Sequence, residues 1–195
     1  MDQPRYKIAV LGGTGPQGTG LALRLAAAGH DLTVGSRQAE RARAVAAELS
    51  TRGGKTIQGS DNRSAAQGSE IVFLTVPYAV QRSTVEAVLD ALRGKILVDT
   101  TVPLVPPKVG LVQLPQSQSA VAAIQQLAGS AVRVVSAFQN LSAQHLNELI
   151  IRWTATCSSA GMIARPAKPS PACALISDCA ASMPARSRIP PRPRR

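Results

Sequence analysis

The segment Leu11-Gly12-Gly13-Thr14-Gly15-Pro16-Gln17-Gly18 contains the spacing Gly13-x-Gly15-x-x-Gly18. Glycines placed this way suit a strand that turns sharply into a helix beside a pyrophosphate. Gly13 permits the tight turn, Gly15 lets the backbone approach the phosphates, and Gly18 lets helix and sheet pack closely. The N–H groups of the first helical turn then face the anion with the positive end of the helix dipole, beside Thr14 and Gln17. A glycine turn that merely reverses the chain is the bland alternative. The flanking residues favour the nucleotide, because an apolar strand-like run precedes the loop and a helical pattern follows it.

The end of the second strand decides which nucleotide is read. An NAD site usually places a carboxylate there to hold the ribose 2′-hydroxyl. This chain places Gly35-Ser36-Arg37 instead, with no acid before Glu40. Ser36 can hydrogen-bond a 2′-phosphate, Arg37 can pair with it, and Arg41 lies one helical turn further on. The residues therefore predict NADP, whereas Arg43 reads as part of a solvated helix face. Thr75-Val76-Pro77 and Thr101-Val102-Pro103 close two later strands at the edge where open parallel sheets bind ligands. Val76 and Pro77 either shape the nicotinamide side or simply end a strand. His30 is expected in an exposed turn and His145 on the last helix. No nucleophile elbow, metal-ligand spacing or Walker loop is present, so no catalytic side chain is assigned. Chemistry of the hydride type would belong to the coenzymes themselves.

The elements that must position these residues follow from periodicity. Strands are predicted at Tyr6–Gly12, Asp31–Gly35, Thr56–Gly59, Glu70–Val76, Lys95–Thr100 and Val132–Ala137. Helices are predicted at Gln17–Ala28, Gln38–Ser50, Ala79–Leu92, Ser119–Leu127 and Ser142–Ile151, with a short polar turn or helix at Asp61–Gln67. The Ala79–Leu92 helix is expected to turn Val80, Val85, Val88, Leu89 and Leu92 inward. The Pro-rich stretch Val102–Pro107 forms no regular element. Strand alternating with helix gives right-handed crossovers and an α/β, doubly wound parallel sheet of the Rossmann type.

Composition narrows the function classes. Hydrophobic residues at 45% with charged residues at 17% describe a globular chain. Aromatics at 3% are too few for a platform that stacks single-stranded nucleic acid. The net charge of +11 divides unevenly: residues 1–151 hold 14 Lys and Arg against 10 Asp and Glu (+4), and residues 152–195 hold 8 against 1 (+7). The basic character is thus mostly a property of the C-terminal stretch, and no nucleic-acid partner is expected. Cys157, Cys173 and Cys179 also lie there, odd in number and irregular in spacing, which argues against a disulfide framework or a zinc site. No apolar run reaches the ~18–20 residues needed to cross a bilayer. The N-terminus lacks signal-peptide architecture, so a cytoplasmic protein without membrane contacts is expected.

Ile8–Arg37, with its Gly-Gly-Thr-Gly-Pro-Gln-Gly loop and Gly-Ser-Arg strand end, resembles the NADPH-dependent reductases of the 8-hydroxy-5-deazaflavin coenzyme F-420. The likeness continues through Ile71–Pro77, Lys95–Pro106 and Val134–Leu146, about residues 6–150. It implies hydride transfer between NADP and the deazaflavin stacked in one cleft. It also implies Thr14 beside the 2′-phosphate, a deazaflavin side lined by Val135–Leu141 (Ala137, Gln139 and Leu141 in particular), and a homodimer. Related sequences often carry His where this chain has Gln139. An NADPH reductase of another small acceptor, or an NADP-binding module or redox sensor without turnover, are the alternatives.

From Arg152 the chain changes to Ala, Ser, Pro, Arg and Cys without periodicity, with seven of its 14 prolines. The sequence therefore predicts a Rossmann-type NADP-binding domain over 1–151 and a poorly ordered basic tail over 152–195. A frameshift would account for the abrupt change. With a chosen set of G+C-rich codons, Arg152–Pro190 read two bases on can encode Val-Asp-Cys-Asp-Val-Leu-Val-Cys-Gly followed by a helical stretch, the elements the family carries there. A genuine basic tail for anionic partners is the competing reading.

Overall fold

The computed structural model describes residues 4–104, 112 and 119–148 of the chain. The predicted tail over 152–195, the end of the last predicted helix and residues 105–107 of the proline-rich stretch lie outside the described residues.

Among the described residues, six strands form one sheet: β1 (Lys7–Leu11), β2 (Asp31–Ser36), β3 (Ile57–Asp61), β4 (Ile71–Leu74), β5 (Ile96–Asp99) and β6 (Arg133–Ser136). Six helices of the described residues alternate with them: α1 (Pro16–Ala27), α2 (Ala39–Gly53), α3 (Asn62–Gln67), α4 (Gln81–Val88), α5 (Ala120–Ala128) and α6 (Ala143–Asn147). Every pairing is parallel, in the order β3-β2-β1-β4-β5-β6. This is the doubly wound Rossmann arrangement, whose strand order reverses between β1 and β4.

Both faces of the sheet are covered, which is why the strands read as continuous apolar runs. Ile8, Val10, Val34 and Phe73 pack on one face with Leu21, Leu25, Ala46 and Leu146 from the helices. Ala9, Leu11, Val72, Leu74 and Leu97 pack on the other with Ala65, Val85, Leu92 and Ile124. Adjacent residues of β1 thus serve opposite cores.

Three local expectations are corrected. His30 is buried rather than exposed, at 8% accessibility; its Nδ1 accepts the Tyr6 N–H at 3.4 Å and its ring tilts against that of Tyr6. The single helix predicted over Ala79–Leu92 is instead α4 flanked by 3-10 turns at Tyr78–Val80 and Leu89–Leu92. Val80 and Val88 leave helical geometry (φ −114°, ψ 7° and φ −123°, ψ 10°), Gln81 turns into the interior, and Val80 is left 40% exposed. The last helix ends at Asn147, with Glu148 extended. Buried Arg24 of α1 takes over the carbonyls at this helix end, donating from Nε to Leu146 and from Nη2 to His145 and Glu148, each at 2.8 Å.

Helix α2 lies directly on β3. A β-carbon at Gly59 would come within 2.5 Å of the Ala42 carbonyl group and the Arg43 nitrogen. Those are helix backbone atoms, which cannot rotate away. Gly59→Ala is therefore expected to lower unfolding free energy by about 1–3 kcal/mol, read as a lower urea midpoint with unchanged slope. An unchanged midpoint would show that α2 is not held this close.

Candidate functional site

A cleft of about 1060 Å³ opens along the carboxyl edge of the strands, across the point where the strand order reverses. A cavity of about 610 Å³ lies at the opposite edge, near Lys7, His30, Asp31 and Ser69. Open parallel sheets bind ligands at the carboxyl ends of their strands, so the larger cleft is the candidate site.

Its centre is the turn from β1 into α1. The left-handed residue is Gly12 (φ 68°), not Gly13. A β-carbon on Gly12 would also lie 2.5 Å from Val76 Cγ1. Gly13 and Gly18 serve close packing: a β-carbon on Gly13 would meet the Val10 carbonyl oxygen at 2.6 Å, and one on Gly18 would meet Gly13 Cα at 2.5 Å. Gly15 begins α1, where a β-carbon would meet only the Gly12 carbonyl oxygen at 3.6 Å. The helix has no side-chain cap, no acid in its first turn, and Pro16 at its start. The N–H groups of Gln17 and Gly18 are therefore left to an anion by helix geometry. Thr14, Gly15 and Gln17 line the cleft, whereas Gly13 and Gly18 are packed beneath it. These features fit a pyrophosphate.

At the end of β2, Ser36 is buried and Arg37 and Arg41 are exposed, all on the cleft wall. Neither arginine makes an ion pair among the described residues. Arg43 does not line the cleft. The neighbouring acid, Asp61, is committed elsewhere: its Oδ1 accepts the Ser64 N–H at 2.9 Å, capping α3, and that hydrogen bonding holds its pKa below the ordinary carboxylate value. Two guanidinium groups stand with a hydroxyl on one stretch of the cleft wall, and no carboxylate of the described residues is paired to either, a combination that suits a phosphate.

The other half of the cleft runs over β4, β5 and β6. Val76, Pro77, Thr101 and Val102 line it, joined by Gln139 and Leu141 from the segment after β6. Ala137 does not line it, being buried in the core at 3% exposure. Phe138 adopts φ 66°, a strained conformation for a bulky residue, with its ring 5.9 Å from that of Phe73. Its carbonyl accepts Gln17 Nε2 at 3.2 Å, tying this segment to the glycine loop.

Beneath this half lies a group that sequence reasoning missed. Asp99, fully buried at the end of β5, accepts Gln81 Nε2 on Oδ2 at 2.5 Å and the Thr101 N–H on Oδ1 at 2.9 Å. Burial raises the Asp99 pKa, and the hydrogen bonds from Thr101 and Gln81 offset part of that rise. The sequence signal was only an acid ending a buried strand. Asn62 was missed too. It lines the cleft, its Oδ1 accepts the Gly12 N–H at 3.4 Å, and the same oxygen lies 2.9 Å from where a Gly35 β-carbon would stand.

Residues 7–103 match the family model described as "NADP oxidoreductase coenzyme F420-dependent". The "F420-dependent NADP reductase" of Methanothermobacter marburgensis is 42% identical over 150 residues, 73% of this chain and 67% of the relative. That of Methanothermobacter thermautotrophicus is 40% identical over 150 residues, 73% and 65% respectively. A crystal structure from Arthrobacter sp. FB24, of a protein proposed to be an F420-dependent NADP reductase, superposes with a TM-score of 0.61 at 28% identity. It covers 71% of this chain and 65% of that one. The chain spans about two thirds of the length of these relatives.

Two outcomes follow from the site. Arg37→Ala should weaken NADPH binding about 10- to 100-fold, the scale of a hydrogen bond to a charged group, and leave NADH nearly unaffected. Equal losses for both in calorimetric titration would contradict the phosphate pocket. Because native Asp99 titrates above its unfolded value, the folded state binds the extra proton, so its contribution to stability falls as pH rises from about 4 through the raised native value. Asp99→Asn should be less stable yet lack this component of the pH slope in urea unfolding; an unchanged slope would contradict it.

Proposed function

The chain belongs to the coenzyme F-420-dependent NADP oxidoreductase family, and from that premise we propose that it transfers a hydride between NADP(H) and the deazaflavin coenzyme F-420. The observation that carries the reading is the grouping of Arg37 and Arg41, neither ion-paired among the described residues, with Ser36 at one end of a cleft that continues over β4 to β6. NADPH supplies the hydride from its dihydropyridine ring, and a proton completes the reduced deazaflavin.

The protein's share is binding, orientation and exclusion of water. The first turn of α1, with Thr14, Gly15 and Gln17, would hold the pyrophosphate; Gly13 and Gly18 allow that turn to form. Ser36, Arg37 and Arg41 would hold the 2′-phosphate, with Thr14 beside it as the resemblance implies. Val76 and Pro77, facing Val102, give the nicotinamide half apolar walls. Gln139 and Leu141 close the end where a second coenzyme would stack, and the strained turn at Phe138 sets their direction. No side-chain acid or base is assigned; the hydride passes between the coenzymes, and the proton that completes the reduced deazaflavin comes from solvent.

Small redox coenzymes are the partners in this reading. Among the described residues no helix is long and apolar enough to cross a membrane. A cytoplasmic site of action and a homodimeric state belong to the same reading, supported by the sequence and its resemblance.

The test is the loss of visible absorbance of oxidised coenzyme F-420 on mixing with NADPH, with NADH as control. Bleaching with NADPH and little with NADH is expected. Tight NADPH binding with no bleaching would overturn the proposed reaction.

A further inference from the structure

The cavity at the amino-terminal edge of the sheet has a cause in the length of one helix. The crossover from β3 to β4 is α3, six residues and about 9 Å long. Its Ala65 and Ala66 cover the carboxyl half of one sheet face, where they pack with Ala9 and Leu11. Alternation along β1 puts Lys7 on that same face, and the parallel register sets Asp31 beside Lys7, Thr33 beside Ala9 and Gln58 beside Thr33. Inner strands of a covered parallel sheet are apolar on both faces. Here the amino half of the face is polar, and together with Arg5, Lys55 and Thr56 it lines the cavity of about 610 Å³. That volume is in the range of small-molecule sites.

The charge of this lining is unbalanced. Asp31 is its one carboxylate, and Arg5 already holds it, Nε donating to Oδ2 at 3.0 Å and Nη2 to Oδ1. A lysine at this edge of the sheet can be structural, as Lys95 is: its Nζ donates to the carbonyls of Ala66 and Gln67 at the end of α3. Lys7 and Lys55 hold no helix end in this way and make no ion pair among the described residues. Thr33, Thr56 and Gln58 add hydroxyl and amide groups to the same wall. Two ammonium groups suit a phosphate dianion, and neutral hydroxyl and amide groups suit the hydroxyls of a polyol. We propose that this cavity is a second binding site, for a phosphorylated sugar or polyol. It shares no lining residue with the dinucleotide cleft and lies at the other end of the strands.

The test is calorimetric titration of the full chain with glucose 6-phosphate, with inorganic phosphate and glucose as comparisons. Saturating NADP+ keeps these probes out of the cleft. Glucose 6-phosphate should then bind at one site, about 3- to 12-fold more tightly than inorganic phosphate, the scale of one net hydrogen bond. Glucose alone should be weaker than either. Lys7→Gln combined with Lys55→Gln should weaken glucose 6-phosphate by about 10-fold or more, the scale of a hydrogen bond to a charged group. Thr33→Leu, which changes no charge and puts a bulkier side chain on the cavity wall, should weaken it too. Both proteins should keep wild-type affinity for NADP+, which shows that they are folded. Absence of saturable binding, displacement of the ester by NADP+, or wild-type affinity in the lysine variant overturns the inference. An affinity no better than that of inorganic phosphate overturns it as well, leaving an adventitious anion site only. The lysine variant can be compared with the wild type without NADP+, so failure of the NADP reading would not decide this one.

Discussion

Helix α1 can begin where it does only because no β-carbon stands between it and the strands beneath. Gly12 turns through a left-handed conformation against Val76, Gly13 lies on the Val10 carbonyl, and Gly18 lies on Gly13. A side chain at any of the three would push the helix off the sheet or deny the turn its geometry. Held this close, the uncapped first turn points along the carboxyl edge of the sheet, at the place where the strand order reverses. The cleft wall of Ser36, Arg37 and Arg41 on one side and that of Val76, Pro77 and Thr101 on the other take their positions from that anchor. The same helix carries the segment after β6, through Gln17 on the Phe138 carbonyl and Arg24 on the end of α6.

Much of this was legible in the sequence, for identifiable reasons. A parallel sheet covered on both faces produces continuous apolar runs, so β1 and β4 stood out despite being five and four residues long. The Gly-rich loop and the Gly35-Ser36-Arg37 strand end have short-range causes that local spacing reports. The sequence assigns the tight turn to Gly13, whereas the left-handed residue is Gly12, because Gly12-Gly13 offers two candidates and only the packing against Val76 separates them. His30 reads as a turn residue and is buried, since nothing local announces Tyr6 lying across it. The break in the Ala79–Leu92 helix and the early end of α6 were hidden for a like reason. Each is imposed by a distant partner, Asp99 for Gln81 and Arg24 for the carbonyls after Gln144.

The network at Asp99 is the clearest part of the site that sequence could not show. A buried carboxyl hydrogen-bonded by neutral N–H groups is costly as an anion, which is why its pKa is raised. Its geometry shows what it does: the side chain fixes Gln81 and Thr101, and its main-chain carbonyl fixes Gln139. Residues from β5, α4 and the segment after β6 are thereby set at defined angles on one wall of the cleft.

The central claim is that both coenzymes meet directly in this one cleft. It is tested most directly by following isotope from NADPH deuterated at the transferred position of the dihydropyridine ring. Stoichiometric recovery of deuterium on carbon in the reduced deazaflavin, from one face of the nicotinamide only, is the result predicted. Loss of the label to solvent, or reduction without transfer of label, would contradict the account.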